Sequence, residues 1–327
     1  PGAGLHGVPG RRLARRYSSG RSPPVNWQDL ALATGRPYGS HMHAPAHYRV
    51  GSFDLAVISD GYTLLDGGAV FGLIPRIMWE PVIGKENIDE NYRIRLGLNC
   101  LVVRHGSEII ICDTGMGTKQ TPQVREKIFP GDYGYLLQNL AALDISPGDV
   151  TAVVNTHLHA DHCGWNTTRE GDAIVPTFPN AQYYVQAGEY EAATHPNDRT
   201  RGTYFLENFT PLEVTGQLRL VNGDFEVAPG VTILPTPGHT QDHASIVVQD
   251  GAESAIYMGD TVHHAVQAER PAWIAAFDTL PLVSLETKKM LAERAVRDHS
   301  LLICVRNDFP GVGRLTEKDG RRKFIPE

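Results

Sequence analysis

Three histidines and one aspartate, His157, His159, Asp161 and His162, fall within six consecutive positions. They follow the apolar, β-branched run Thr151–Val154, which reads as a buried strand. Residues two apart on extended backbone point the same way, so His157 and His159 address one point. Asp161 and His162 lie at the turn that follows and can face a second point nearby. Imidazole with carboxylate is the donor set of zinc and other borderline divalent metals. Four such donors can divide between two ions a few ångströms apart, the arrangement of two-metal hydrolases. A polar turn whose histidines cap neighbouring elements would explain one lone histidine; it does not explain this density.

The elements that must hold these groups are short. Apolar runs recur at residues 53–59, 98–106, 107–115, 150–157, 181–186, 231–240, 244–249, 254–260 and 301–308, each bounded by Gly, Asp, Asn or Pro. That is the pattern of strands and turns. Helices are predicted from near Asp132 to Ile145 and from Ser284, as N-cap, to His299. Strands and helices interleave without strict alternation, which predicts layered sheets with helices outside. Three runs end in further metal-binding types: His157, then His239 after the tight Pro237-Gly238 turn, then Asp260 after Gly259. The last two signals are weak alone.

Taken in order, His157-Leu158-His159-Ala160-Asp161-His162, Thr236-Pro237-Gly238-His239 and Gly259-Asp260, with Asp113 in an upstream Cys112-Asp113-Thr114-Gly115, resemble the metallo-β-lactamase superfamily. Residues 259–267 and 309–315 look most like the branch of methyl parathion hydrolase and the N-acyl homoserine lactone-type lactonases. The resemblance covers roughly Val50 to Gly313. It implies a four-layer αβ/βα sandwich of two mixed β-sheets flanked by helices, with the site at one edge. It implies a first metal on His157, His159 and His239, a second on Asp161 and His162, and Asp260 bridging both. Asp113 and His243 would support the ligands from behind. The implied ions are zinc, with iron, manganese or cobalt as alternatives. The implied reaction is attack of an activated water on a lactone or related ester. Phosphotriester, thioester and β-lactam hydrolysis suit the same scaffold. So do an iron-dependent oxygenase and a metal-binding protein without catalysis.

Two departures stand out. The branch ends its metal set with a histidine before the FPG-like segment; here that place falls to Arg306, with Asn307 and Asp308 next to it. A guanidinium opposes a second dication, so the second site is expected to be weakened, or Arg306 to anchor substrate. His263 stands three residues after Asp260, where the lactonases carry a tyrosine, and is a candidate to hydrogen-bond substrate or protonate a leaving group. His264, Trp273 and Phe277 are candidate pocket residues whose types suit core packing equally well. Cys163 touches the motif but reads as a small apolar filler.

Composition limits the partners. The 327 residues are 41% hydrophobic and 20% charged with a net charge of -7, which fits a soluble globular chain and argues against nucleic acid as a partner. No apolar run is long enough to span a bilayer, so no membrane partner is expected. Four scattered cysteines without a CxxC spacing read as reduced thiols. Residues 1–42 are rich in Gly, Pro, Ser and Arg, and residues 39–42 match an expression-vector scar. They are expected to be a vector-encoded, targeting or disordered leader, with one hydrolase domain over 43–327. A cytoplasmic location is expected, or an organelle if that leader is a natural transit peptide. The expected partner is a small-molecule ester or lactone, with a homodimer as the candidate assembly.

Overall fold

Alternation along the strands builds the layers. The computed structural model describes residues 43–327; the leader expected over 1–42 lies outside them. In β2 (Phe53–Asp66) Leu55 and Val57 enter one core, whereas Ala56 and Ile58 enter another on the opposite face. The same parity separates Ile246 and Val248 from Val247, and Tyr257 from Ile256.

The first sheet runs β1 (Ala46–Val50), β2, β3 (Arg93–His105), β4 (Glu108–Cys112), β6 (Ala152–Val154), β9 (Gln182–Gln186) and β10 (Leu218–Val221), with β5 (Gly131–Tyr133) paired to β2. β1 to β4 are antiparallel; β4, β6, β9 and β10 are parallel. A ribbon of β7 (Thr167–Glu170) and β8 (Ala173–Pro176) stands apart. The second sheet runs β11 (Phe225–Ala228), β12 (Val231–Pro235), β13 (Ala244–Asp250), β14 (Glu253–Tyr257), β15 (Leu301–Ile303), β16 (Val312–Lys318) and β17 (Arg321–Pro326), and only β14 and β15 are parallel.

The inner faces of both sheets share one core, where Leu55, Leu101, Ile110 and Val154 meet Ile233, Ile246, Tyr257 and Ile303. Leu136 and Leu140, from the helix Leu136–Ala141, cover the outer face of the first sheet. Leu291, Ala292 and Ala295, from the helix Pro281–Arg297, cover that of the second. Helix, sheet, sheet, helix is the sandwich expected from the sequence, and all nine apolar runs contain strands.

Both predicted helices shift. Residues 131–133 pair with β2, so the first helix begins at Leu136 and not near Asp132. The second begins at Pro281, three residues ahead of Ser284, because a proline ring suits the first helical turn. Ser284 therefore lies inside the helix, and its hydroxyl donates to Asp278 Oδ2 at 2.6 Å. No helix among the described residues is long and apolar enough to cross a membrane.

A candidate metal centre at the edge between the sheets

Five strand ends deliver the site. Asp113 follows β4, His157 follows β6, Thr236 to His239 follow β12, Asp260 follows β14 and Arg306 follows β15. Two cross-sheet hydrogen bonds fix this edge: Ala244 N–H donates to Thr156 O at 2.9 Å, and the Tyr257 hydroxyl donates to Asn99 O at 2.9 Å. Gly259 has φ +55°, and a Cβ there would lie 2.5 Å from His243 Nε2. Glycine thus turns the chain into Asp260.

His157 Nε2 and His239 Nε2 converge on His159 Nδ1, at 3.0 and 3.1 Å. The hydrogen bonds behind the rings decide which nitrogens carry protons. Thr156 Oγ1 gives its proton to Asp113 Oδ2 (2.8 Å), so it accepts from His157 Nδ1–H (3.0 Å). His239 Nδ1–H donates to Asp278 Oδ1 at 3.2 Å. The Nε2 lone pairs of His157 and His239 are therefore left facing His159. Burial, with the neighbouring imidazoles, holds His157 and His159 well below the usual histidine range, so these rings are neutral. Converging imidazole lone pairs in a largely buried pocket are the donor set of a divalent ion, and these residues fit one.

Asp161, His162 and Asp260 gather beside it around the Arg306 side chain, which is only 3% exposed. Arg306 Nε and Nη2 donate to the two Asp260 oxygens at 2.7 Å each. Nη2 also lies 2.5 Å from His162 Nε2, and Nη1 lies 2.6 Å from Asp161 Oδ2. His162 Nδ1–H is held by Asp113 Oδ2 at 2.7 Å. Burial, the largest single influence, would raise both carboxyl pKa values; the Arg306 guanidinium together with His162 and the other nearby histidines outweighs it and holds Asp161 low and Asp260 well below the usual range. Asp260 Oδ2 lies 3.5 Å from His239 Nε2 and 3.4 Å from His263 Nε2.

The structure thus brings His157, His159, Asp161, His162, His239, Asp260, His263 and Arg306 together. Asp113 stands behind His157 and His162. His243 stands behind Asp260, its Nε2 accepting the Asp260 N–H at 3.0 Å. Phe277 packs on His263, with ring centroids 5.5 Å apart. Trp273 and His264 lie further out, in ring contact with Phe71 at 5.7 and 6.2 Å. Asn307 and Asp308, the neighbours of Arg306 in sequence, do not join the cluster: Asn307 Oδ1 accepts from Ala265 N–H instead. Cys163 is buried beneath the motif, and burial pushes its thiol far up.

Sequence reasoning missed two supporting carboxylates. Asp278 orients His239. Glu189 is fully buried, where it accepts the Leu158 N–H at 3.0 Å, the Tyr204 hydroxyl at 3.1 Å and the Thr240 hydroxyl at 2.6 Å. Asp278 carries only the weak signal of an acid just ahead of a proline-started helix, and Glu189 carries none.

Residues 94–304 match the family model of the metallo-beta-lactamase superfamily. An N-acyl homoserine lactonase of Bacillus thuringiensis is 27% identical over 222 residues, which is 64% of this chain and 80% of that protein. Among solved structures, a probable metal-dependent hydrolase from Staphylococcus aureus superposes with a TM-score of 0.76 at 24% identity, covering 86% of this chain and 99% of that one. The dizinc quorum-quenching lactonase AidC, in complex with a product, superposes with a TM-score of 0.74 at 19% identity, covering 88% and 99%.

Proposed function

The chain belongs to the metallo-β-lactamase superfamily, and on that footing we propose that it is a metal-dependent hydrolase that opens lactones or cleaves related esters. The observation that carries this reading is the convergence of His157 Nε2, His159 Nδ1 and His239 Nε2, with the outer nitrogens of His157 and His239 already engaged. These three residues would hold a divalent ion, zinc by donor type. When bound, it supplies the Lewis acidity that activates water and polarises a carbonyl. Asp161, His162 and Asp260 are the donors left for a second ion, whose binding Arg306 weakens.

Asp260 remains ionised beside the guanidinium, so it orients the attacking water by accepting its hydrogen bond. It is too weak a base to keep the proton. His263, neutral because burial lowers its pKa, stands next to Asp260 Oδ2 and relays that proton to the leaving oxygen. His243 and Asp113 keep Asp260, His157 and His162 in place. The lactonase relatives support a lactone over a phosphotriester, thioester or β-lactam substrate.

The test is elemental analysis combined with a panel of N-acyl homoserine lactones, aryl esters, phosphotriesters and β-lactams. Zinc and lactone turnover are expected together. His157→Ala and His239→Ala are each expected to lose the ion and all hydrolysis. His263→Phe is expected to keep the ion and lose rate. Near-normal rates in either alanine variant at saturating zinc would reject the ligand assignment, and parallel loss of metal and rate in His263→Phe would make His263 a ligand. Iron in place of zinc, with no hydrolysis on the panel, would favour an oxygenase.

A further inference from the structure

The donors for the second ion do not fit an ion, because a side chain already fills the space between them. Arg306 reaches every one of them: Asp260 through a two-pronged fork at 2.7 Å, His162 Nε2 at 2.5 Å and Asp161 Oδ2 at 2.6 Å. No second cation can share these partners without expelling the guanidinium. Its fixed charge satisfies both carboxylates, and it is buried where water cannot screen a dication from it. His162 Nε2, the atom a second metal would need, is already occupied by contacts with Arg306 Nη2 at 2.5 Å and Asp260 Oδ1 at 3.2 Å.

One further feature gives the guanidinium a use. Arg306 Nη1 carries two N–H groups: Asp161 Oδ2, 2.6 Å away, can take one, and no acceptor among the described residues takes the other. A buried, charged N–H donor without an acceptor is costly unless a ligand completes it.

We infer that Arg306 is a built-in replacement for the second metal: the centre takes one ion, and Arg306 Nη1–H receives the substrate oxygen that a second ion would otherwise bind. The inference rests on the hydrolase reading for its substrate but not for its metal count. The ligand expected at Nη1 is the carbonyl oxygen of a lactone or ester, as negative charge develops on it, and afterwards the carboxylate product.

The experiment starts with zinc counting. The parent protein is loaded with excess zinc, freed of loose ions by gel filtration and assayed by elemental analysis. One equivalent per chain is expected; two tightly held equivalents overturn the inference. Arg306→His is expected to bind a second zinc at least about 100-fold tighter than the parent, since a like charge is removed and an imidazole added. With cobalt, it should show coupling between two ions that the parent lacks. A folded Arg306→His that still takes one ion overturns the claim that Arg306 excludes the other. Arg306→Lys tests the donor. It keeps the charge and the single zinc, and kcat should fall about 10²–10³-fold for loss of an aligned oxyanion donor. Unchanged kcat with one zinc bound overturns the role of Nη1. A parent with one zinc and no hydrolysis on the whole panel overturns the hydrolase reading and upholds the one-ion count.

Discussion

Asp278 does for His239 what Asp113 does for His162, taking the outer N–H of a ring and fixing the direction in which the inner nitrogen points. Its other oxygen is held by Ser284, so the carboxylate has little freedom to turn. Asp278→Asn retains the shape but replaces a charged acceptor by an amide that can flip. Affinity for the ion on His157, His159 and His239 is expected to fall about 10–100-fold, as for other residues behind metal ligands. Competition with a chromophoric chelator measures it, and an unchanged zinc affinity would remove Asp278 from the centre. The contrast between the two aspartates shows what a sequence can reveal about a site. His157 to His162 are legible because four donors share one turn and their spacing alone sets their directions. Asp113 is legible only through the family pattern around it. Asp278 belongs to no motif and acts across 39 residues, through a contact that exists only after folding. Arg306 is visible in sequence as a departure, but its fork onto Asp260 and its reach to His162 are facts of tertiary geometry.

At the level of elements, the centre is only as rigid as the loops leaving the strands, and one buried carboxylate ties several of them. Asp60 sits where the pairing of β2 with β3 shifts register. Its Oδ2 accepts from Met116 N–H and Gly117 N–H at 2.8 and 3.1 Å, in the loop beyond β4. Its Oδ1 accepts from Leu136 N–H, at the start of a helix, and from Trp165 Nε1–H, each at 2.8 Å. Burial outweighs these four donors and raises the Asp60 pKa to about 6, so the group is ionised at pH 8. Asp60→Asn would turn an NH2 toward two N–H groups. A loss of about 2–4 kcal/mol in unfolding free energy at pH 8 is expected, measured in urea. A change under about 0.5 kcal/mol would mean that water or a shifted loop replaces the carboxylate. The nine main strands were legible because apolar, β-branched runs bounded by turn residues allow little else. The helix limits were not, because pairing of residues 131–133 with β2 and the start at Pro281 are decided by neighbours that local periodicity does not contain. β1, β5, β7, β8, β10, β11, β16 and β17 do not stand out in the sequence for the related reason that exposed or half-buried positions interrupt each of them.

For the whole molecule, the layered architecture followed from the interleaving of strands and helices and from the family pattern, but the balance of buried charge did not, and it sets how stability responds to pH. Lys288 lies on the inward side of the helix Pro281–Arg297, 2% exposed, its Nζ donating to Trp273 O at 2.8 Å. Burial lowers its pKa to about 8, against a smaller opposing pull from Asp278. Below pH 8 the folded and unfolded chains both carry this proton, and Lys288 adds no slope. Between pH 8 and about 10.5 the unfolded chain still binds the proton that the folded chain has released, so this group makes stability rise with pH. Buried thiols and phenols raised by burial, such as Cys304 and Tyr183, act in the opposite sense over part of the same range, and the parent's own profile mixes the two. The comparison with Lys288→Met separates them, because every other group is common to both proteins. At pH 7 the parent bears the cost of a buried ammonium that the methionine variant lacks. From pH 7 to pH 10.5 the parent is expected to gain about 3 kcal/mol relative to the variant, with a limiting slope of about 1.4 kcal/mol per pH unit. Urea unfolding of both proteins at four or five pH values in that window gives the difference directly. A difference that stays flat would mean that Lys288 keeps an ordinary pKa inside the fold. A difference that shrinks as pH rises would mean that its ammonium is stabilised there, with Asp278 as the partner responsible.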